Sequence, residues 1–232
     1  MGKLVKSVLT IFATIFVVMV LIGIGSLLSK IQPPDENVSK NSVLLMKLDG
    51  VILETQQFVK DLKKYSKKDN IKGVIIRIDS PGGAVGPSQE LYYEIKRVRE
   101  ELQKPVVVST TALMASGGYY AAVGADQIVT TPGAMLGSIG VIIGLVNLED
   151  LYQWMKIKRF AIKTGPFKDS GAEYRDMRPD EKALFQNLLD EVHTQFKQAV
   201  EQGRKLSPDL VEKYADGRVF TGSTAVKLGF AD

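Results

Sequence analysis

The sequence predicts an α/β domain with a largely parallel sheet, preceded by one N-terminal transmembrane helix. Three observations support this architecture. Short apolar runs alternate with segments of helical periodicity from residue 43 onward, which is typical of parallel strands joined by crossover helices. Glycine-rich turns follow two of the predicted strands, where α/β sheets bind their ligands. An uncharged segment long enough to cross a bilayer lies near the N-terminus.

The N-terminal segment Val8–Leu28 contains 21 uncharged residues and would span roughly 31 Å as a helix. Lys3 and Lys6 precede it and favour a cytoplasmic N-terminus, although Lys30 and Lys40 reduce the asymmetry. A cleaved signal peptide normally has a shorter apolar core that ends in a small-x-small site. We therefore expect a retained anchor rather than a cleaved leader, with a buried helix of the soluble core as the third interpretation.

Three regions follow from this interpretation. Residues 1–30 form a cytoplasmic tip and the transmembrane anchor, and residues 31–42, which are polar and contain two prolines, form a linker. Residues 43–232 form the folded domain. A single pass in this orientation places that domain on the extracytoplasmic side of the cytoplasmic membrane, with the lipid bilayer as a partner of the anchor.

Composition excludes several classes of function. The chain is 45% hydrophobic and 24% charged, with a net charge of +4 and no cluster of basic and aromatic residues, which argues against nucleic-acid binding. It has no cysteine and one histidine, and its carboxylates are scattered, so no metal site is expected. Neither glycine pair fits a phosphate-binding motif. We expect no cofactor.

The predicted elements are listed in chain order. Strands are expected at residues 43–48, 73–78, 106–108, 128–130 and 139–143, with a strand-like run at 160–162. Helices are expected at residues 54–67, from near 87 to 102, at 116–123, at 179–205 and from 208 onward.

Residues 111–140 contain six glycines and a single charged side chain, Asp126, which suits a buried cleft. Ser116 at the centre is a candidate nucleophile. The N–H of Gly117, at a helix N-terminus, and the N–H of Gly82 or Gly83 are candidate donors to an oxyanion. The alternative is that Ser116 caps a helix and the glycines only form turns, which the residue types alone favour.

A nucleophilic serine needs a general base. The one histidine, His193, lies within a long amphipathic helix, where an exposed structural role is the simpler interpretation. A lysine can act instead if burial lowers its pKa by about three units. Lys168, in the segment TGPFKDSG, is the first candidate and Lys163 the second. From the residues alone, a surface lysine in a loop remains the favoured alternative for Lys168.

Five ordered motifs resemble signal peptide peptidase SppA, also called protease IV. They are IDSPGG (78–83), ASGGYYAA (115–122), GAMLGSIGV (133–141), KTGPFKDSG (163–171) and DGRVFTG followed by A-x-x-L-G (216–229). The resemblance covers residues 41–232. It implies a fold similar to the ClpP and crotonase superfamily, built from repeated β-β-α units.

The resemblance implies a membrane-bound serine endopeptidase with a Ser-Lys dyad that degrades released signal peptides and similar apolar peptides without ATP or metal. It assigns the nucleophile to Ser116, the general base to Lys168 and the hydroxyl that orients the lysine to Ser138. The glycine turn at Gly82 and Gly83 matches the oxyanion-hole segment. A homo-oligomer is also implied. Chains of this family usually continue beyond the segment that ends here at residue 232, so we expect a shortened C-terminal part.

Two other functions remain open. The domain could be a non-catalytic, membrane-tethered module that binds peptides in the same cleft. It could also carry out crotonase-like acyl-CoA chemistry, which uses paired backbone N–H groups but needs neither Ser116 nor Lys168. The predicted anchor argues against the acyl-CoA enzyme.

Overall fold

The structure is a computed structural model and describes residue 2, residues 14–21 and residues 39–232. Chain contacts divide the protein into Met1–Lys40 and Asn41–Asp232. Residues 14–21 are helical (α1) and are the part of the predicted anchor that is described; the rest of that anchor, and most of the predicted linker, lie outside the described residues. Among the described residues, no helix has the length and apolar character needed to cross a membrane.

The unit Asn41–Asp232 contains seven strands and seven helices. The strands are β1 Ser42–Asp49, β2 Ile71–Asp79, β3 Val106–Thr110, β4 Leu113–Ala115, β5 Gln127–Thr130, β6 Met135–Gly137 and β7 Val219–Thr221. The helices are α2 Gln56–Ser66, α3 Val85–Glu100, α4 Gly117–Ala122, α5 Glu149–Trp154, α6 Pro179–Arg204, α7 Pro208–Tyr214 and α8 Gly222–Leu228.

Four parallel strands form the first sheet in the order β1-β2-β3-β5. The central strand β2 is rich in branched apolar residues, and its Val74, Ile76 and Ile78 are at most 1% exposed. Helices α2 and α3 pack against this sheet through apolar faces that include Leu62 and Leu91. A continuous apolar strand that is covered by crossover helices is the expected environment for parallel pairing. The predicted α/β class is therefore confirmed.

The second sheet has the order β4-β6-β7, with β4 and β6 parallel and β6 and β7 antiparallel. It is joined to the first sheet just beyond β2. There the N–H of Ser80 donates to Leu113 O at 2.8 Å, and the N–H of Ala115 donates to Ser80 O at 3.1 Å. The carboxyl end of β2 and the strand before Ser116 therefore lie side by side.

The long helix α6 and the last residues close the unit. Phe196 and Val200 of α6 are buried in the core, together with Phe230 near the C-terminus. The Arg204 guanidinium donates to both carboxylate oxygens of Asp232 at 2.9 Å, and the Ile128 N–H donates to Asp232 Oδ2 at 2.8 Å. Asp232 thus joins the end of α6 to β5. Burial opposes its ionisation, but these hydrogen bonds leave the pKa of Asp232 below its ordinary value.

Most predicted elements are confirmed within a few residues, and two are wrong. The apolar run 139–143 is not a strand, because the pairing partner of β4 is the glycine-containing segment Met135–Gly137. The strand-like run 160–162 has no regular structure, and its Ile162 is 96% exposed. Five elements were not predicted from the sequence, namely β4, β6, β7, α5 and α8. Strands of three residues carry too little periodicity to be recognised without their partners.

The carboxylate of Asp232 provides a test of the C-terminal contacts. We expect Asp232→Ala to lower the free energy of unfolding by about 1–3 kcal/mol, because the charge on Arg204 and the N–H of Ile128 lose their acceptor. Asp232→Asn keeps one oxygen as an acceptor and should lower the free energy of unfolding by less. Urea denaturation monitored by circular dichroism measures both. An equal loss for Asn and Ala would contradict this role of the carboxylate.

Candidate active site

Ser116 and Ser138 occupy equivalent places on neighbouring strands. Ser116 follows β4 and Ser138 follows β6, and their preceding residues Ala115 and Gly137 are paired in the sheet. The Ser116 N–H donates to Gly137 O at 2.8 Å. The structure therefore brings together the predicted nucleophile and the hydroxyl predicted to orient its base, at the carboxyl end of two parallel strands.

The backbone at both serines is unusual. Ser116 has φ 50° and ψ −122°, and Ser138 has φ 51°. Residues other than glycine rarely adopt a positive φ, and such conformations persist where the surrounding structure enforces them, often at functional sites. At Ser116 the chain turns sharply from β4 into α4. The Ser116 hydroxyl makes no hydrogen bond within the described part of the chain, and no capping bond to α4 is formed. The alternative role of Ser116 as a helix cap is therefore not supported by the geometry.

The glycine turn after β2 packs directly against Ser116. Gly82 has φ +94°, and a Cβ atom at this position would lie 2.6 Å from Gly117 N and 2.8 Å from Ser116 Cβ. A Cβ on Gly117 would lie 3.3 Å from Gly83 N and 2.1 Å from the hydroxyl of Ser88. Backbone atoms leave no space for a side chain at Gly82, which allows the turn to approach the serine closely, whereas a side chain at Gly117 would have to displace the Ser88 hydroxyl.

Two backbone N–H groups beside Ser116 are free. The Gly82 N–H donates to Ser80 Oγ at 3.0 Å. Those of Gly83 and Gly117 donate to no acceptor within residues 39–232, and Gly117 is the first residue of α4, where helix N–H groups lack internal partners. Of the three glycines predicted for the oxyanion hole, two therefore keep a free donor, and Gly82 uses its donor inside the turn.

Ser116 and Ser138 open into a cleft of about 490 Å³ that is walled by α6 and by the segments after β6 and before β7. The α6 residues in this wall are Gln186, Leu189, Asp190 and His193. A second, much smaller pocket of about 20 Å³ lies between Ser116 and the core. Its lining is mainly apolar and includes Val85, Tyr120, Val141, Val192 and Phe196. Ser116 thus lies between a cleft with both polar and apolar walls and a small, mainly apolar pocket.

Lys168 does not line either space. It is exposed, in the turn that follows residue 163, and its ammonium group forms no ion pair within residues 39–232. Lys163 is bound to the carboxylate of Asp169. In this structure neither lysine reaches the cleft beside Ser116, so the predicted dyad is not assembled in the conformation of segment 141–178 seen here.

Asp169, the residue after Lys168, is bound by two basic side chains, Arg175 and Lys163. Arg175 donates to Asp169 Oδ1 at 2.9 Å and to Glu181 Oε1 at 2.6 Å, and Glu181 is fully buried at the start of α6. The hydrogen bonds from Arg175, and then that from Lys163, hold the pKa of Asp169 well below its usual range. Those from Arg175 lower the pKa of Glu181 to about 2. Arg175 therefore connects the turn bearing Lys168 to the helix that forms the cleft wall.

The position of His193 was not predicted from the sequence. It lies in the cleft wall with Ser116, and its Nε2 is buried without a hydrogen-bond partner in the described residues. Its spacing from Leu189 and Gln186 on one helix face was visible in the sequence. The sequence does not show that this face of the helix lines the cleft beside Ser116. Among residues 2, 14–21 and 39–232, no group of three or more potential metal ligands is present.

Comparison with known proteins shows which family the chain belongs to. Residues 99–232 match the family described as Peptidase family S49. The chain belongs to peptidase family S49. It is thus a member of a serine-type peptidase family, and the sequence-based resemblance to signal peptide peptidase SppA is confirmed.

Two relatives and one solved structure illustrate this similarity. The chain is 36% identical over 200 residues to a putative protease of Synechocystis, covering 86% of this chain and 72% of the relative. It is 29% identical to a putative signal peptide peptidase SppA of Enterococcus faecium, covering 85% of this chain but only 61% of that protein. The solved structure, a mutant of the 1510-N membrane-bound stomatin-specific protease, has a TM-score of 0.51 at 20% identity, covering 84% of this chain and 79% of that one. It supports the ClpP-like fold.

The strained backbone at Ser116 predicts an unusual stability ranking. We expect Ser116→Gly to be about 1 kcal/mol more stable than Ser116→Ala, because glycine adopts a positive φ without steric cost. At Ser88, which lies in the regular helix α3, the same pair of substitutions should rank in the opposite order. Urea denaturation of the four variants tests this ranking. A Ser116→Gly variant less stable than Ser116→Ala would contradict the strained conformation.

The lowered pKa values predict acid sensitivity of the turn that bears Lys168. A carboxyl whose pKa is depressed on folding stabilises the protein above its unfolded pKa, and this stabilisation is lost as the pH falls through the folded pKa. For Glu181 that window runs from about pH 4.5 to about pH 2. The double variant Asp169→Asn, Glu181→Gln should therefore lose less stability than the parent between pH 5 and pH 3. Parallel slopes in denaturation at these pH values would contradict the assignment.

Proposed function

We propose that the chain is an ATP-independent serine endopeptidase with Ser116 as its nucleophile. The observation that carries this proposal is that two N–H groups, of Gly83 and Gly117, lie close to a serine on a strained strand-to-helix turn and have no acceptor within residues 39–232. This arrangement matches what acyl transfer requires, namely an exposed nucleophile and donors aimed at the place where negative charge develops. Membership of peptidase family S49 supports the same chemistry.

In the proposed reaction, Ser116 Oγ attacks the carbonyl carbon of a peptide bond while its proton passes to a general base. The carbonyl oxygen becomes an oxyanion and accepts hydrogen bonds from Gly83 and Gly117. The intermediate collapses, the C–N bond breaks, and the protonated base gives its proton to the leaving amine. Water activated by the same base then hydrolyses the acyl-enzyme ester and restores the hydroxyl.

We propose Lys168 as the base, with Ser138 as the hydroxyl that orients it. A hydroxyl can hold a neutral amine without adding a charge that would keep the lysine protonated. Because Lys168 lies outside the cleft here, activity would require segment 141–178 to move toward Ser116. His193 is the competing base, since it already lines the cleft and has a free, buried Nε2.

A second copy of the chain is the proposed cause of that movement. Segment 141–178 exposes several large apolar side chains, of which Ile142, Trp154, Phe160 and Ile162 are 79–96% exposed. Exposed apolar side chains concentrated in one segment are typical of an interaction surface. We therefore propose a homo-oligomer in which this segment is covered and repositioned.

The proposed substrates are apolar peptides, including released signal peptides. The pocket beside Ser116 is lined by Val85, Val141, Val192 and the rings of Tyr120 and Phe196. The pocket has a volume of only about 20 Å³, so an apolar side chain next to the scissile bond would enter it only if the lining side chains move outward. A charged side chain would in addition be desolvated without a partner. The Enterococcus relative carries the name of a signal peptide peptidase, which is consistent with this proposal.

We also propose that the chain is anchored in the cytoplasmic membrane by one helix at residues 8–28, with the catalytic domain outside. The support comes from the uncharged length of that segment and the two lysines before it. Released signal peptides lie in the same bilayer, so an anchored peptidase would meet them at its surface. A peptide-binding module without turnover is the second candidate, because the cleft beside Ser116 would serve binding equally well.

The test is cleavage of an internally quenched peptide of Leu and Ala by the full chain in detergent, without ATP. Ser116→Ala and Lys168→Ala should each lower kcat at least about a thousandfold, because nucleophile and base act as a unit. Lys158→Ala removes an exposed lysine of the same segment and serves as the matched control. His193→Gln should lose less than roughly tenfold, since a group outside the proton transfer contributes less than a general base.

The outcomes separate the candidates. Loss of activity in His193→Gln and not in Lys168→Ala would make His193 the base. Full cleavage by Ser116→Ala would exclude the proposed nucleophile. Binding of the peptide without cleavage by the folded parent chain would favour the binding module. Mass spectrometry of the products gives the side chain at each cleavage position and so tests the apolar pocket.

A further inference from the structure

The buried hydroxyl of Ser80 holds the turn that supplies Gly83. Ser80 is 0% exposed, and its Oγ donates to Gly50 O at 2.6 Å while it accepts the Gly82 N–H at 3.0 Å. The Ser80 hydroxyl therefore donates to the backbone of one segment, at Gly50, and accepts from the backbone of another, at Gly82. Buried polar groups that are fully satisfied in this way tend to rigidify their surroundings.

The backbone of Ser80 is bound to the strand that carries the nucleophile. It pairs with Leu113 and Ala115 of β4, immediately before Ser116. The side chain and the main chain of one residue thus connect the glycine turn to the strand of Ser116. A change in the position of the Ser80 hydroxyl would alter the distance between the turn and the nucleophile.

A second contact sets the direction of the Gly83 N–H. The Ile52 N–H donates to Gly82 O at 2.9 Å, and Ile52 O accepts the Ala84 N–H at 2.7 Å. The peptide unit between Gly82 and Gly83 is planar and trans, so its C=O and N–H point in opposite directions. With the C=O held toward Ile52, the N–H of Gly83 faces away from Ile52. Ser80 fixes the preceding peptide unit, and the two contacts together leave the turn little freedom.

We propose that Ser80 is a positioning residue for the oxyanion hole. It does not touch substrate, and it acts by holding the Gly82–Gly83 turn so that the Gly83 N–H stays beside Ser116. This inference rests on the proposed function, because an oxyanion forms only if Ser116 attacks a carbonyl. The choice of general base does not affect it.

The activity test compares Ser80→Ala with Ser66→Ala in the full chain. Ser66 is an equally buried serine whose hydroxyl has no hydrogen-bond partner within the described part of the chain, so it controls for removal of a buried oxygen. With the quenched Leu-Ala peptide, Ser80→Ala should lower kcat by about 10- to 100-fold, less than the loss of a whole oxyanion donor, with little change in KM. Affinity for a leucyl peptide boronic acid, whose adduct carries the oxyanion, should fall in parallel. Ser66→Ala should change neither.

Ser80→Cys keeps the proposal testable if Ser80→Ala fails to fold. A thiol is a weaker donor and acceptor than a hydroxyl, so kcat should fall between the values of the parent and Ser80→Ala. Both variants are compared well below their melting temperatures. Parental kcat and boronate affinity in Ser80→Ala would overturn the proposal, as would a loss that appears only as a raised KM.

A second readout does not depend on turnover. In the full chain labelled with ¹⁵N-glycine, the amide resonances of Gly82 and Gly83 should shift and broaden in Ser80→Ala and stay unchanged in Ser66→Ala. An inactive parent chain would count against the proposed peptidase, and the Gly83 resonance would still report whether Ser80 holds the turn. Unchanged glycine resonances in Ser80→Ala would overturn the positioning role whatever the activity.

Discussion

Two backbone hydrogen bonds between Ser80 and β4 join the two sheets, and the geometry of the site depends on them. They place the carboxyl end of β2 beside the strand that precedes Ser116. The glycine turn after β2 and the N-terminus of α4 therefore meet at one point, where the close approach of the backbone excludes a Cβ at Gly82. The strained backbone of Ser116 follows from the same constraint, since the chain must turn from β4 into α4 without leaving that point.

The rest of the site is supplied by elements that are distant in sequence. Helix α6 contributes Val192 and Phe196 to the apolar pocket and His193 to the cleft. At its other end, buried Glu181 is bound by Arg175, which also binds the residue after Lys168. The wall of the cleft and the turn of the proposed base therefore share one rigid ion-pair network. Because Asp169 belongs to this network, a movement of segment 141–178 that brings Lys168 to Ser116 would have to rearrange the network as well.

Periodicity predicted the elements that carry most of the core. The strands β1, β2, β3 and β5 and the helices α2, α3 and α6 have enough residues, and faces apolar enough, to be recognised without a partner. The strands of the second sheet have three residues each, so only their hydrogen bonds to neighbouring strands identify them as strands. The apolar run 139–143 looked more strand-like than Met135–Gly137, but only the latter is paired with β4.

The sequence indicated which residues form the site, but it did not show which of them contact one another. Ser116 and the two glycine turns stood out because small residues are concentrated there. Sequence spacing cannot show that Ala115 pairs with Gly137, which brings Ser138 beside Ser116. Nor can it show that Ser80 takes the Gly82 N–H and leaves that of Gly83 free. These relations come from tertiary hydrogen bonds that leave no periodic pattern in the chain.

The most direct test of this account is a crystal structure of the chain with a peptidyl boronic acid bound. The account predicts a covalent bond from boron to Ser116 Oγ and one boronate oxygen about 2.7–3.1 Å from the nitrogens of both Gly83 and Gly117. The leucine side chain should lie at the mouth of the pocket beside Phe196, with the lining side chains moved outward, because that pocket holds only about 20 Å³ without a ligand. An adduct on another residue, or an oxygen bound by neither glycine, would contradict the assignment of the nucleophile and its oxyanion hole.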